Sequence, residues 1–349
     1  MPLASVHSAE HSSEPHAGAA ASDSHSPNVR ASERTPGRES HSDSAVLPYT
    51  KINTSPNATT DSTGPRVPSR EPPRVIDPRQ QRAPHQVLLD RVNYYRKRAG
   101  VTPVISDWRL RKSAQSHADY LSTTSSVGHL EHDTRNAYYT GEDPYRRINA
   151  AGYVFAQAGE VVAKTASRDV AAAVDRLMDA VYHRFVILSS DLTHAGAAAG
   201  RKAARDDETT EVTIDFAAAA SPIARGSTLI VYPAREQTGI PAAFDATTEI
   251  PNPMPGRTVV GSPISVQADS GLELTVDVFR ISAVSAATTD GFLSSRLLVH
   301  SDDADTPPWA AALIPERPLL PRTAYRVEFS GKVDGNAVAQ TWTFTTASQ

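Results

Sequence analysis

Residues 114–121 read AQSHADYL, and they carry the clearest structural signal in this chain. The signal is a stripe of residues that recur every three or four positions, which is the period of one face of an α-helix. The stripe comprises Leu110, Ala114, His117, Ala118 and Leu121. Ser106 or Asp107 can cap the start of this helix. We therefore predict an amphipathic helix packed on a core, with His117 as a structural histidine rather than a ligand.

Helical periodicity also appears on both sides of this stretch. We predict a helix from Pro84 to Gly100, a short helix from Pro144 to Gly152 and a long helix over 167–188. Two strands follow, over 195–200 and 212–216, and a polar loop joins them. Helices followed by a late strand hairpin predict a layered α+β domain.

The pattern changes to β-strands from Ser227 onward. Apolar and β-branched runs are separated by Pro and Gly clusters, and Asp334-Gly335 is a hairpin signal between two of the runs. The predicted strands are 229–232, 264–267, 272–281, 296–300, 325–329 and 340–345. Strands of this length and spacing predict a small all-β sandwich.

Residues 1–80 are rich in Ser, Pro, His and charge, and they are poor in large apolar side chains. Such a segment cannot bury enough apolar surface to offset the entropy lost on ordering it. We therefore predict a disordered tail. Its histidines, from His7 to His41, can form a loose metal-chelating tail, but no ligand spacing recurs. We interpret them as part of a polar linker.

Composition and charge exclude several classes of function. The formal net charge is -4, without the clustered basic face that nucleic-acid binding requires. The chain contains no cysteine, so disulfides, thiol catalysis and thiolate metal sites are excluded. No apolar run is long enough to span a membrane.

The visible N-terminus, MPLASVHSAEH, lacks the charged and apolar regions of a secretory signal. Three interpretations are open: a cytosolic protein, a true start further upstream, or a leader that has been removed.

A set of short motifs across residues 85–217 matches a known family pattern. The motif residues are Asn93, Arg96, Gly100, Pro103, Asp107, Leu110, Ala114, His117, Ala118, Tyr120, Leu121, Gly128, His129, Arg147, Gly152, Tyr153, Gly159, Glu160, His183, Arg184, Gly196 and Phe216. In order and spacing they resemble the bacterial branch of the CAP family, also called SCP-like, which includes cysteine-rich secretory proteins, antigen 5 and pathogenesis-related 1 proteins. The resemblance implies a CAP α-β-α sandwich at residues 81–220. It also implies an extracellular or cell-envelope location, which favours an upstream start or a removed leader.

The last third of the chain resembles the Ig-like β domains that follow such modules in exported bacterial proteins. The likeness lies in Tyr232-Pro233, in GSPI at 261–264 and in WTFTT at 342–346. It implies an Ig-like sandwich at residues 225–347. The fold class that results is α+β, with a CAP domain, a second all-β domain and a disordered N-terminal tail.

The resemblance to the CAP family also implies a cleft lined by His129, Glu160 and His183. Two neutral imidazoles and one carboxylate can bind zinc or a similar divalent ion, or they can hydrogen-bond a polar ligand. The sequence departs from the family pattern at three places. Val161 stands where Asn is usual, and Val181-Tyr182 stands where Pro-Gly is usual before His-Arg. Asp179 is one position away from the second acid, which is about 100° around the helix. The cleft can therefore be a reduced one.

Each of these three residues also has a structural interpretation. His129 and Glu160 follow glycines in predicted loops, where side chains often carry function, whereas His183 can simply pack its helix. The neighbouring string His129-Leu130-Glu131-His132 is not the His-Glu-x-x-His of metalloproteases, so we discount that chemistry.

Three functions are open at this level. We favour an exported module, non-enzymatic or weakly catalytic, that binds an unknown ligand or a cell-envelope component. The second is an extracellular metal-dependent hydrolase with a metal-bound water and Glu160 as ligand or general base. The third is a lipid or sterol carrier, although no sequence feature indicates the apolar groove that a carrier requires.

Overall fold

The computed structural model describes residues 49–50, 82–124, 126, 128–165, 169–200, 209–219, 229–284 and 291–348. Most of the predicted disordered tail therefore lies outside the described residues, and its disorder stays a prediction. Two residues of that segment, Tyr49–Thr50, form a short strand.

The helices and strands alternate in the first part of the chain, and strands alone fill most of the second. In chain order the elements are β1 (Tyr49–Thr50), α1 (Pro84–Arg98), β2 (Ile105–Ser106), α2 (Trp108–Thr123), α3 (Pro144–Ala150), β3 (Gln157–Thr165), α4 (Ala171–Asp179), α5 (Val181–Ile187), β4 (His194–Ala199), β5 (Thr210–Ala218), β6 (Ile230–Tyr232), β7 (Gln237–Ile240), β8 (Phe244–Asp245), a 3-10 turn (Ala246–Thr248), β9 (Glu249–Ile250), β10 (Val259–Val260), β11 (Ile264–Gln267), β12 (Leu274–Ala283), β13 (Ser295–Val299), β14 (Ala310–Pro315), β15 (Ala324–Val333) and β16 (Asn336–Thr346). The predicted order of an α+β part followed by an all-β part is confirmed.

A six-stranded sheet organises the first part, in the order β2-β4-β5-β3-β1-β9. Its edge strand β9 is contributed by the second part of the chain, from residue 229 onward, which we call the β part. Its central strand β3 has helices on both sides, because successive side chains of a strand point to opposite faces. A Cβ on Gly159 would lie 3.0 Å from Val186 of α5, so Glu160 faces the other layer. On the α5 side, Val161 packs in a core with α1 and α4. On the other side, Val162 packs with Tyr120 of α2. The result is an α-β-α sandwich.

The strands of the second part form two four-stranded sheets, β13-β14-β11-β6 and β12-β15-β16-β7, and a small β8-β10 pair. The two larger sheets share one apolar core. Trp342, Tyr325 and Phe344 from one sheet meet Val266 and Leu313 from the other. This arrangement is a layered all-β region, and the Ig-like assignment within it stays a prediction.

The single long helix predicted over 167–188 is two helices, and the break lies at Ala180. Its ψ of 121° is extended rather than helical. The carboxylate of Glu249 accepts hydrogen bonds from the backbone N–H groups of Val181 (2.9 Å) and Tyr182 (2.7 Å). These are unsatisfied N–H groups of a helix start, so a residue of the β part begins α5 at this position.

The two parts of the chain share a buried interface on α5. Tyr182 and Phe185 pack with Phe244 and Met254 of the β part. The guanidinium of Arg184 donates to the carbonyl oxygen of Pro263 at 2.9 Å, from within a fully buried position. The α5 surface is therefore covered by the β part. None of the helices in the described part of the chain has both the length and the apolar content needed to cross a membrane.

Gly196 of β4 allows α2 to approach the sheet directly. A Cβ at this position would overlap the backbone of Leu110 and Arg111. We expect Gly196→Ala to lower the free energy of unfolding by about 1–3 kcal/mol, since overpacking of a close contact costs that much. The measurement is chemical denaturation of the full chain. Gly291→Ala is the control, because a Cβ there meets nothing within 4 Å. Equal effects of the two substitutions would contradict the close approach.

Candidate functional site

Two of the three predicted site residues meet between the sheet and the α2–α3 layer. The Nδ1 atom of His129 lies 2.7 Å from Oε1 of Glu160. Glu160 points there because it alternates with Gly159 along β3. His129 lies in the segment that follows α2, directly after Gly128, which has a positive φ of 87°.

Arg147 of α3 joins the two residues. Its Nη2 atom donates to both carboxylate oxygens of Glu160, at 2.9 Å and 2.8 Å. Its Nη1 atom donates to the carbonyl oxygen of His129 at 2.9 Å. Charge-assisted bonds of this kind are about twice as strong as neutral ones. Arg147 therefore fixes the backbone of one predicted residue and the side chain of the other.

His117 has polar partners at both ring nitrogens, as the predicted structural role requires. Its Nε2 atom lies 3.0 Å from the carbonyl oxygen of Gly128, and its Nδ1 atom lies 2.9 Å from Oε1 of Glu131. Burial, followed by the charge of Arg147, lowers the pKa of His117. A neutral imidazole carries one N–H. It can therefore donate to only one of these two oxygens at a time.

We call these residues and Asp215 the buried polar cluster: His117, His129, Glu131, Arg147, Glu160 and Asp215. The side chains of Glu160 and Arg147 have no exposed surface, and that of His129 is 2% exposed. A buried charge is tolerated when it is paired and hydrogen-bonded. Glu160 satisfies that condition through His129 and Arg147, whereas Nε of Arg147 and both carboxyl oxygens of Asp215 have no hydrogen-bond partner among the described residues. The cluster therefore functions as a polar core between the sheet and two helices, centred on the Glu160 carboxylate.

Asp215 lies opposite Glu160 on the neighbouring strand β5, and it is fully buried. Burial, followed by the negative charge of Glu160, raises the pKa of Asp215 well above its usual value. For Glu160, burial disfavours ionisation, but the charge of Arg147 and the hydrogen bond to His129 outweigh it and hold the pKa well below its usual range. The proton of this carboxyl pair therefore resides on Asp215.

A pH dependence follows from the raised pKa of Asp215. In the folded chain Asp215 keeps its proton above the unfolded-state pKa of about 3.9. The folded state then binds more protons than the unfolded state, so this group's contribution to stability falls as pH rises from that value through the folded pKa. We expect the stability of Asp215→Asn, relative to wild type, to increase steadily as pH rises from about 4.5 to 8. Denaturation at several pH values tests this, with Asp277→Asn at an exposed position as the control. A pH-independent difference would contradict the assignment.

His183, the third predicted site residue, lies in the opposite helical layer. It is fully buried on α5, and its Nδ1 atom is 3.3 Å from Oε1 of Glu249. The predicted convergence of His183 with His129 and Glu160 is therefore not found, because the sheet separates α5 from the face that carries Glu160. Asp179, the displaced acid, is the last residue of α4.

Metal binding by His129, Glu160 and His183 would require their donor atoms to converge on one ion. Within the described residues, no group of three or more His, Asp or Glu side chains is placed to hold a metal ion. At the buried polar cluster, the bidentate bonds from Arg147 occupy both oxygens of Glu160. An ion would have to compete with a guanidinium for that carboxylate.

Sequence patterns did not assign four of the polar residues described above to the site. Asp215 stands inside the apolar run of a predicted core strand, and a lone acid there was a signal for a buried polar group. Arg147 was identified only as a motif residue, and Glu131 was discounted with the metalloprotease string. Glu249 had no local signal, because its partners are about 70 positions away in sequence.

Comparisons with known proteins find matches to part of this chain. The family model described as the cysteine-rich secretory protein family, CAP, matches residues 89–216. Three bacterial structures are similar to part of the chain. An outer surface protein from Borrelia burgdorferi is 17% identical over 39% of this chain and 92% of its own, with a TM-score of 0.33. No curated protein sequence matches the chain.

The other two similar structures are longer than the matched region. An extracellular protein containing a SCP domain from Bacillus anthracis is 21% identical over 39% of this chain and 40% of its own, with a TM-score of 0.31. A cysteine-rich secretory protein from Staphylococcus aureus is 19% identical over 42% of this chain and 41% of its own, with a TM-score of 0.29. The chain thus spans about two fifths of the length of each of these two proteins.

Proposed function

Residues 89–216 of this chain form a CAP domain of the cysteine-rich secretory protein family, and on that premise we propose that the protein is an exported, non-catalytic module that binds a ligand of the cell envelope. The observation that supports this proposal is the closure of the buried polar cluster. Glu160, the predicted acid or metal ligand, has no exposed surface and is held by Arg147 through both oxygens. A general base must reach the proton that it removes, and a sealed, ion-paired carboxylate does not reach a substrate.

The second predicted cleft histidine supports the same proposal from the other layer. His183 and Arg184 are buried where α5 meets the β part of the chain. In this position they contribute to the attachment of the two parts and not to an open cleft. The β part is then a rigidly held spacer or second contact surface.

Two assays on the full chain test the proposed function. Cosedimentation with insoluble envelope material measures binding, and incubation with peptide and glycan substrates measures hydrolysis. We expect saturable sedimentation and no hydrolysis above buffer. We also expect a folded His129→Gln variant to sediment like the wild type, because His129 lies inside the core.

Two outcomes would overturn the proposal. The first is reproducible turnover that is lost in His129→Gln while the variant keeps the wild-type circular dichroism spectrum. The second is a wild-type chain that does not sediment with envelope material at all.

A further inference from the structure

An open groove runs along the solvent side of α2, away from the buried polar cluster. It lies between α2, the start of α1 and strand β4, and its volume is about 630 Å³. Pockets that hold small ligands have volumes of about 300–1,000 Å³. Its polar and aromatic lining includes Trp108, Arg111, Lys112, Gln115, Ser116 and Tyr138, and one acid, Asp119, which is buried and accepts a hydrogen bond from Gln115. We call this feature the α2 groove.

The cations of the α2 groove are not neutralised by the chain. Arg111 and Lys112 are both exposed and make no ion pair with any residue in the described ranges. By contrast, the neighbouring Arg109 is paired with Asp107 at 2.7 Å. The chain as a whole carries a net charge of -4. The α2 groove differs from this overall negative balance, because two adjacent cations without ion-pair partners lie on its concave surface. A concave cationic surface concentrates anions.

Arg111 is also held in place across the groove. Its Nη1 atom lies 3.1 Å from Nε2 of His85 on α1. Arginine has no acceptor, so the guanidinium donates and the Nε2 atom accepts. Burial, followed by the charge of Arg111, lowers the pKa of His85, which keeps that nitrogen available as an acceptor. The remaining guanidinium N–H groups can bind an anion in the planar geometry that suits carboxylate and phosphate.

Aromatic rings lie beside the cations. Trp108, the first residue of α2, is 64% exposed, and Tyr138 is 37% exposed. Large aromatic side chains bury much of their surface in most proteins. An exposed indole next to two cations offers a flat apolar face where the C–H side of a sugar ring can pack. The donors of Gln115 and Ser116 are used within the chain, so their side-chain oxygens can accept hydrogen bonds from sugar hydroxyls. The stripe from Trp108 to Asp119 extends for about 16 Å at 1.5 Å per residue.

We propose that the α2 groove binds an acidic glycan, with Trp108 and Tyr138 stacking on sugar rings while Arg111 and Lys112 hold its carboxylate or phosphate groups. This inference deepens the proposed function, on which it rests, by naming the ligand class and the surface. An open groove suits a polymer that continues beyond both ends. A free anion would use the cations but would leave the aromatic rings exposed.

Tryptophan fluorescence of the full chain tests the proposal, because Trp342 is buried and Trp309 is half-buried in the β part, whereas Trp108 is exposed in the groove. The titrants are tetragalacturonate, a phosphate-bridged mannose oligomer, neutral chitotetraose and inorganic phosphate. We expect saturable binding of one or both acidic oligomers, weakened at least about tenfold at 0.5 M salt because exposed charges are screened. Chitotetraose and inorganic phosphate are expected to bind at least about tenfold more weakly, since each lacks one of the two interactions.

Substituted variants test whether the acidic oligomers bind in the α2 groove. Arg111→Ala/Lys112→Ala is expected to weaken binding of the acidic oligomer at least about tenfold. The matched control is Lys97→Ala/Arg98→Ala, an exposed adjacent basic pair at the end of α1, which is expected to bind like the wild type. Calorimetry replaces fluorescence for Trp108→Ala, which is expected to bind more weakly.

Three outcomes would overturn the proposal: no binding of either acidic oligomer, equal loss in both double variants, or inorganic phosphate binding as tightly as the oligomers. The proposed function has a separate readout. If the acidic oligomers fail to bind while the chain still sediments with envelope material, the groove assignment fails and the binding module stands. If sedimentation also fails, both fail.

Discussion

Replacement of Arg147 by methionine is expected to lower the free energy of unfolding by about 3–5 kcal/mol, because removal of one partner leaves a buried charge without compensation. The charge in question is the carboxylate of Glu160, which has no exposed surface. The one remaining contact with His129 does not replace the two charge-assisted bonds from the guanidinium. The measurement is guanidinium chloride denaturation of the full chain.

The adjacent residue is a matched control for this substitution. Arg146 is on the same helix, but its side chain is 64% exposed and its ion pairs with Glu142 and Asp143 are at the surface. Exposed pairs contribute about 0–1 kcal/mol, so Arg146→Met is expected to stay within about 1 kcal/mol of wild type. Addition of Glu160→Gln to Arg147→Met is expected to recover part of the loss, since the uncompensated charge is then absent. Equal effects of the two arginine substitutions would show that the cluster is not a closed ionic core.

Replacement of Glu249 by alanine is expected to have the second large effect, about 3 kcal/mol of destabilisation. The fully buried carboxylate accepts from two backbone N–H groups at the start of α5. Hydrogen bonds to a charged group contribute about 1.5–3 kcal/mol each. The substitution also removes a link between the two parts of the chain, so we expect the unfolding transitions seen by tryptophan fluorescence and by far-UV circular dichroism to separate.

Glu316→Ala is the control for this substitution, because Glu316 belongs to the same β part and pairs with Arg257 at the surface. Its expected effect is below about 1 kcal/mol. If Glu249→Ala were as mild as the control, with coincident transitions, Glu249 would not be the cap that begins α5.

The helices and the chain's two-part order could be predicted from sequence because their signals are local. Helical periodicity, a Pro at the start of α1 and α3 and the Asp107 cap of α2 identify these three helices within a few residues. The CAP assignment drawn from motif order is confirmed by the family match over residues 89–216.

Strand β3 was missed because it is central and buried on both faces. Such a strand loses the alternation of polar and apolar residues that marks a half-buried one. The prediction of one long helix over 167–188 was wrong for a different reason. Its sequence has no helix breaker at Ala180, and the break depends on Glu249, which comes to α5 only through tertiary structure.

The candidate site was predictable only in part, because the position of one of its residues also depends on tertiary structure. His129 and Glu160 were named from the family pattern, and the structure brings them into contact. His183 carries an equally good motif, but its position depends on the β part that covers α5. Motif order alone does not report which face of the sheet a helix occupies.

The most direct test of the central claim is native mass spectrometry of the full chain after incubation with zinc, beside His129→Gln and a denatured sample. We predict a metal-free mass for wild type and variant alike, because Glu160 is already bonded to His129 and, through both of its oxygens, to Arg147. A stoichiometric metal adduct that is present in the wild type and lost in His129→Gln would contradict the claim that this cluster is a closed structural core, and it would restore the metal-dependent hydrolase as the function to pursue.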